Sequence, residues 1–304
     1  MDKIKKLGLT ALAGSLVATS VSAADLGVTG SWSWSWDSND ADESGNPMSM
    51  GDSVNFSASG ETDQGWTATA AWELDGGNFD DQSLSIDFGD GGVFQYGGAS
   101  KGGRGIGLVA DYIPAADSAV YTLSSATGAE LGVARGASGT DNLSHQITVG
   151  DVKIGVEAQK GAGTSTSWGL QYTGIDNLTV GFGTSDISPG ASDGGSDSNT
   201  AGAQYAIGGV TLGYQVTEVD LSSSDEDATH YGASFAINDD TTISYGRQTI
   251  EIQGAANDEV NSGFSASYTM GSMSIGAYVN KTENVGGASA NDDEGKGVTL
   301  SIAF

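Results

Sequence analysis

Beyond residue 23 the sequence alternates. Apolar and small polar residues trade places through one short segment after another, the period that sends successive side chains to opposite faces of a strand, while helical periodicity is almost absent. The first segment is the clearest: Leu26, Val28, Trp32, Trp34 and Trp36 share one parity, and Thr29, Ser31, Ser33, Ser35 and Asp37 the other. The same pattern predicts five strands as far as Tyr96. A stretch from 98 to 141 has no sustained alternation, and eleven further strands run from Leu143 to Phe304. The expected total is sixteen.

Connections alternate too. Tight ones at 62–64, 89–91, 150–151, 174–176, 208–209, 238–240 and 271–272 are rich in the Gly, Asn and Asp that hairpin turns require. Longer ones at 39–52, 75–80, 97–141, 160–166, 184–200, 217–228, 249–261 and 280–296 carry most of the Asp, Asn, Ser and Gly. They also carry Pro47, Pro114 and Pro189, the residues a hydrogen-bonded ladder excludes. Short turns on one rim and long loops on the other describe an up-and-down antiparallel barrel with both chain ends on the short-turn rim.

Sixteen strands enclose a lumen too wide for side chains to fill. The polar parity, with Glu73, Asp87 and Glu157 and one clear base, Lys153, is therefore expected to line water, and the apolar parity to face lipid. A secreted β-sandwich or β-helix with the apolar parity as its core would leave the strand count and loop alternation unexplained. The fold class expected is all-β, a transmembrane antiparallel up-and-down barrel of sixteen strands with one oversized connection after strand five.

Composition narrows the function. The chain has no Cys, which removes disulfides, thiolate metal sites and Cys nucleophiles. Its 48 Gly among 304 residues come with only 3 Pro and no collagen period. A formal charge of −28 argues against nucleic acid and against an anionic lipid surface as partners, since either would need a basic patch, and favours cations. His145 falls on the outward parity and His230 at a strand edge, with no Gly-x-Ser-x-Gly elbow, so no catalytic site is expected.

Residues 1–23 read as a Sec signal peptide, with Lys3, Lys5 and Lys6 before an apolar stretch from Leu7 to Val17 and a Val21-Ser22-Ala23 cleavage site; an amphipathic N-terminal helix is the alternative. Residues 24–304 then form the barrel domain. No later stretch approaches 18 consecutive apolar residues, so only a barrel offers a way across a membrane.

The C-terminal Val298-Thr-Leu-Ser-Ile-Ala-Phe304, the hairpins Tyr172–Phe182 and Tyr205–Tyr214, and the single oversized connection after strand five together resemble the Gram-negative general porins over the whole mature chain. The Pro-Glu-Phe-Gly-Gly motif frequent in that family's third loop is absent, and Tyr112-Ile113-Pro114 is only a loose substitute. The resemblance implies a homotrimeric outer-membrane channel for passive diffusion of small hydrophilic solutes. It also implies a long third loop that folds inward and narrows the pore, and assembly machinery that reads the terminal Phe304.

On that reading Asp111 and Asp117 line the constriction, and Lys101, Arg104 and Arg135 either neutralise them or pin the loop to the wall. The inward acids predict cation preference. Trp32, Trp34, Trp36, Trp66 and Trp72 are expected as membrane-interface anchors. Acidic runs containing Asp40 and Asp42, and Asp225 and Asp227, are candidates for Ca²⁺ or Mg²⁺, with solvated loop charge as the alternative; no other cofactor is expected. A substrate-specific channel and a plugged barrel with a surface role remain alternatives.

Overall fold

The computed structural model describes residues 25–39, 46–98, 104–116, 141–160, 164–188, 195–221, 224–289 and 292–304; the expected leader lies outside the described residues. Sixteen strands follow in chain order. They are β1 (Asp25–Asn39), β2 (Met48–Glu61), β3 (Thr67–Asp75), β4 (Asn78–Asp87), β5 (Val93–Gly98), β6 (Asn142–Val149), β7 (Val152–Lys160) and β8 (Thr164–Ile175). The second half comprises β9 (Leu178–Ile187), β10 (Ser196–Ile207), β11 (Val210–Leu221), β12 (Glu226–Asn238), β13 (Thr241–Ile252), β14 (Glu259–Met270), β15 (Met273–Glu283) and β16 (Asp293–Ala303). Each pairs antiparallel with the strand before it, and β16 returns to β1, so the sheet has no free edge.

At the seam Trp32, Trp34 and Trp36 stand opposite Ile302, Leu300 and Val298, so one apolar parity runs unbroken across the closure. Phe304 completes it: Gly30 and Phe304 exchange backbone hydrogen bonds of 2.8 and 2.9 Å. A Cβ on Gly30 would lie 2.5 Å from the Phe304 ring, so the glycine makes room for the terminal aromatic.

The apolar parity faces outward everywhere and is exposed: Leu170 at 36%, Phe182 at 42% and Phe264 at 61%. Inside, the described residues hold one small cluster of buried apolar side chains, Ile106, Val109 and Tyr112 with Leu108 packed on it, and it belongs to a loop. A belt of this kind is stable against lipid, where the closed ladder satisfies every strand's backbone and the apolar side chains need no core.

Two departures from the expected connections have local causes. The connection expected at 75–80 is a two-residue turn, because Gly76 and Gly77 take φ of 53° and 86° and let Asp75 pair directly with Asn78. Several strands run beyond the alternating segments into the long-loop side. In β9, β10 and β11 the outward positions change from Phe182, Ala201 and Val216 to Asp186, Asp197 and Glu218, and the ladder continues. The hydropathy signal ends where the apolar belt ends; the hydrogen bonding does not.

Above that belt, like charges meet. Asp197 stands directly opposite both Asp186 and Asp220, and Asp227 opposite both Glu218 and Glu251. Each such cross-strand pair costs a fraction of a kcal/mol up to about 1 kcal/mol and is screened by salt. Thermal unfolding in detergent is therefore expected to shift upward as KCl is raised, and Asp197→Asn to reproduce part of that shift at low salt. An unfolding temperature indifferent to salt would show that these rows are not repulsive.

Candidate functional site

The long connection between β5 and β6 is described over 104–116, and this segment lies on the lumen face of the barrel. The Ile106 N–H donates to Ser167 Oγ at 3.1 Å, the Tyr112 N–H to Gln215 Oε1 at 3.0 Å and the Ala116 N–H to Ser244 Oγ at 2.8 Å. Gln215 answers with its Nε2, donating to the Ala110 carbonyl at 2.8 Å. These wall residues alternate with Trp168, Tyr214 and Ile243 of the outer face, so each points inward.

The local sequence explains the path. Ile106–Val109 forms a 3₁₀ turn in which residues three apart eclipse, and Tyr112 continues that spacing, so Ile106, Val109 and Tyr112 present one apolar edge. All three are buried, at 0%, 1% and 3% exposed. The wall that receives them is stripped of side chains. Gly155, Gly169 and Gly183 are in direct register across β7, β8 and β9, and Gly181 stands opposite Gly202 of β10. A Cβ at Gly183 would come within 2.6 Å of Val109, one at Gly169 within 2.7 Å of the Gly105 carbonyl, and one at Gly202 would strike the Tyr112 ring. The inward glycines form a shallow track in which the loop is seated.

The opposite edge of the segment, Gly107, Asp111 and Ala115, is exposed. Asp111 accepts the Ile113 N–H at 2.7 Å, which fixes the backbone turn and leaves its carboxylate exposed, away from the wall. Arg104 tethers the segment's start: Nη2 and Nε reach Gln95 Oε1 on β5 at 3.0 and 3.3 Å, and Nη1 reaches Gln146 Oε1 on β6 at 3.4 Å. Burial holds the Arg104 guanidinium below its ordinary pKa, and the charge of Asp87 works against that shift. Burial likewise raises the Tyr112 phenol, opposed by a 3.5 Å hydrogen bond from Gln171. Lys101, Asp117 and Arg135 lie outside the described residues.

Among the wall charges, Glu73 is inward on β3 and accepts the Ser53 hydroxyl and, at 3.5 Å, the Asn55 amide. Asp87 is exposed on β4 and accepts the Gly89 N–H at 2.8 Å. Lys153 is inward on β7, in register with Thr148 and Gln171. Glu157 shares that parity but is only 5% exposed: the loop start at Gly105 covers it, and the Ser167 hydroxyl donates to it at 3.2 Å. It therefore sits beneath the loop, where water was expected. His230 differs as well, since it lies inside β12 with Nε2 2.6 Å from Gln248. From there a ladder continues through Asn261 to Thr282 at 2.9 and 2.5 Å, bracing the wall across four strands.

The five tryptophans expected as interface anchors all have the outward parity. Trp66 packs edge-on to Phe88 at 4.9 Å and Trp72 stacks on Phe56 at 5.8 Å. Trp32, Trp34 and Trp36 occupy successive outward positions about 13 Å from first to last along the strand, so they form a column across the belt and cannot all sit at one interface. Asp40 and Asp42 lie outside the described residues. Among the described residues Asp225 and Asp227 belong to no group of three or more acidic or imidazole side chains placed to hold a metal ion.

The glycine track and the glutamine anchors Gln95, Gln146 and Gln215 escaped the sequence reading. Glycine stands at inward positions in every strand from β7 to β16, with Gly213, Gly232, Gly246 and Gly263 in direct register across β11 to β14, so inward glycine alone does not mark where the segment is seated.

No protein-family model matches the chain, and no curated protein matches it in sequence. Solved structures do match. A refined porin structure superposes with a TM-score of 0.68 at 15% identity, covering 92% of this chain and 100% of that one. An anion-selective porin from Comamonas acidovorans gives 0.68 at 12% identity, with 92% and 100% covered. The trimer form of OmpT, an outer membrane protein of Vibrio cholerae, gives 0.66 at 12%, with 93% and 100% covered. Over more than nine-tenths of its length, then, this chain has the fold of the sixteen-stranded porins.

Proposed function

We propose that this chain is an outer-membrane diffusion channel for small hydrophilic solutes and ions, exported through the Sec route and inserted with its long loops outside. The observation that carries the reading is the loop segment 104–116 lying along one side of a polar lumen with Asp111 presented away from the wall. Among the described residues, that arrangement narrows a wide aqueous passage. No cofactor is needed for such a function.

The channel prefers cations. Asp111, Glu73 and Asp87 lie on the lumen side, whereas the described lumen bases are Lys153 and the tethered Arg104. An anion-selective porin shares the fold, so selectivity follows from the charges on the wall and not from the barrel.

The barrel works as a homotrimer, and the contact face runs over β1 to β4. Outward on β2, between Met50 and Val54, is Asp52, opposite Trp32, and outward on β4 is Gln82, opposite Trp72. A carboxylate facing hydrocarbon is costly. A neighbouring subunit against the Trp32–Trp36 column removes that cost.

Planar-bilayer recording under a KCl gradient tests the reading. Steps closing in threes with a cation-directed reversal potential are expected, and Asp111→Asn should move that potential toward zero. Folded, inserted protein that conducts nothing would leave a plugged or structural barrel. Saturable block by one solute would instead indicate a substrate-specific channel.

A further inference from the structure

Three of the chain's few bases gather on one patch of the outer face. Arg247 of β13, Ser262 of β14 and Lys281 of β15 stand in a single lateral row, each directly opposite the next. Lys296 of β16, opposite Val279, lies one step closer to the short-turn rim. All share the outward parity of Tyr245, Phe264, Val279 and Val298. Lys281 is engaged by acids on its long-loop side, with Nζ 3.1 Å from Glu283 and 3.8 Å from Asp292, and Glu294 is its cross-strand neighbour. Arg247 and Lys296 make no ion pair or hydrogen bond with any described residue. In a chain with 39 acidic residues, two bases left without carboxylate partners at the top of an apolar belt call for an anion from elsewhere.

Below the patch, toward the short-turn rim, β11 to β15 leave an apolar trough of about 520 Å³. Its floor is the small side chains Ala266 and Ala277, and Phe235, Ile243, Tyr245 and Phe264 wall it. The Tyr245 and Phe264 rings are 4.7 Å apart at its upper end. From the row of Arg247 to the row of Ala266 is four residues, about 13 Å along the strands. A cationic rim over an apolar trough is complementary to a phosphate carrying an acyl chain, and long basic side chains at a belt edge extend toward the headgroup level.

We propose that this patch and trough form one binding site for an anionic phospholipid, one whose headgroup carries no cation to neutralise its phosphate, in the leaflet on the long-loop side. Arg247 and Lys296 hold the phosphate, Lys281 and the Ser262 hydroxyl flank it, and an acyl chain lies over Ala266 and Ala277. The site rests on the outward, lipid-facing orientation of the apolar parity, which the channel reading shares, and it does not depend on conduction. It lies away from the β2–β4 part of the proposed subunit face.

Native mass spectrometry of the detergent-purified protein tests the site, with phosphatidylglycerol and phosphatidylcholine of the same acyl chains as probes. Phosphatidylglycerol should be retained at least about tenfold better, and Arg247→Gln with Lys296→Gln should remove most of that advantage. Ala266→Leu with Ala277→Leu should weaken retention with every base in place. Unchanged single-channel conductance in both variants certifies the fold, because none of these side chains faces the lumen. Equal retention of the two lipids, or retention indifferent to the base substitutions, would overturn the proposal. Displacement of phosphatidylglycerol by inorganic phosphate alone, with the leucine variant binding normally, would reduce the site to a simple anion patch and overturn the lipid assignment. If the glutamine variant fails to fold, the leucine variant and the two-lipid comparison on the unaltered protein decide. A silent channel that still selects phosphatidylglycerol would sink the channel reading and leave this one standing.

Discussion

Valine at Gly183 and Gly202 together is expected to lift the loop from the wall and change the pore while leaving the barrel intact. The first new side chain would begin 2.6 Å from Val109 and the second inside the van der Waals boundary of the Tyr112 ring. Overpacking of this kind costs about 1–3 kcal/mol per site. The barrel has an easier response than absorbing that strain in its sheet, since the loop is held by a few hydrogen bonds and a small apolar edge, whereas each strand is held by two complete ladders. The segment should move first. Single-channel records should show larger and noisier steps, and the reversal potential should fall because Asp111 moves with the loop. The unfolding temperature of the barrel should change little. Gly60→Val, on the outer face of β2, is the control for a valine that strikes nothing, for a Cβ there meets no atom within 4 Å. If the double variant conducts and selects like the unaltered protein, the seated loop does not set the pore.

The strands were legible because lipid on one side and water on the other impose a binary choice at every residue. Leu26 to Trp36 or Val210 to Val216 states that choice without help from tertiary contacts. Legibility failed in two physical situations. Where strands rise above the belt the parity rule fails: from Ser196 to Asn199 both faces are polar, and from Glu218 to Leu221 the alternation reverses, with acids outward and the buried Val219 inward. Where the chain folds inside the lumen, recognition depends on what is missing. Gly183 and Gly202 matter because a Cβ would collide, and a collision exists only once Val109 and Tyr112 have been brought across from a segment many residues away. Arg104 was legible as a charge in the right loop, and its role as a tether became definite only when Gln95 and Gln146 converged on it. Glu157 shows the reverse: parity gave its face correctly, and the loop above it removed the water.

The orientation of the two faces can be tested with the same residue placed on each. Leu170→Arg puts a guanidinium on the outer face between Ile154 and Phe182, whose side chains share its parity, with no carboxylate in its row. Near the bilayer midplane that substitution costs about 2–4 kcal/mol. Weak or failed insertion into vesicles and a clear loss of resistance to unfolding are expected. Asn55→Arg puts the same group on the inner face, where the position is exposed and already within 3.5 Å of Glu73. There the arginine is hydrated, so stability should stay within about 0.5 kcal/mol of the unaltered protein. The channel should respond, because one lumen acid gains a counter-charge and the reversal potential moves toward the anion side. The two outcomes are coupled through a single assumption, that even-numbered residues of β2 and β8 face lipid and odd-numbered ones face water. An arginine tolerated at 170 and ruinous at 55 would invert the barrel and place the apolar parity in a core, whereas damage at both positions would mean that neither face meets water freely. Damage confined to 170, with selectivity altered only at 55, fits a water-filled barrel in lipid and no packed β-sandwich.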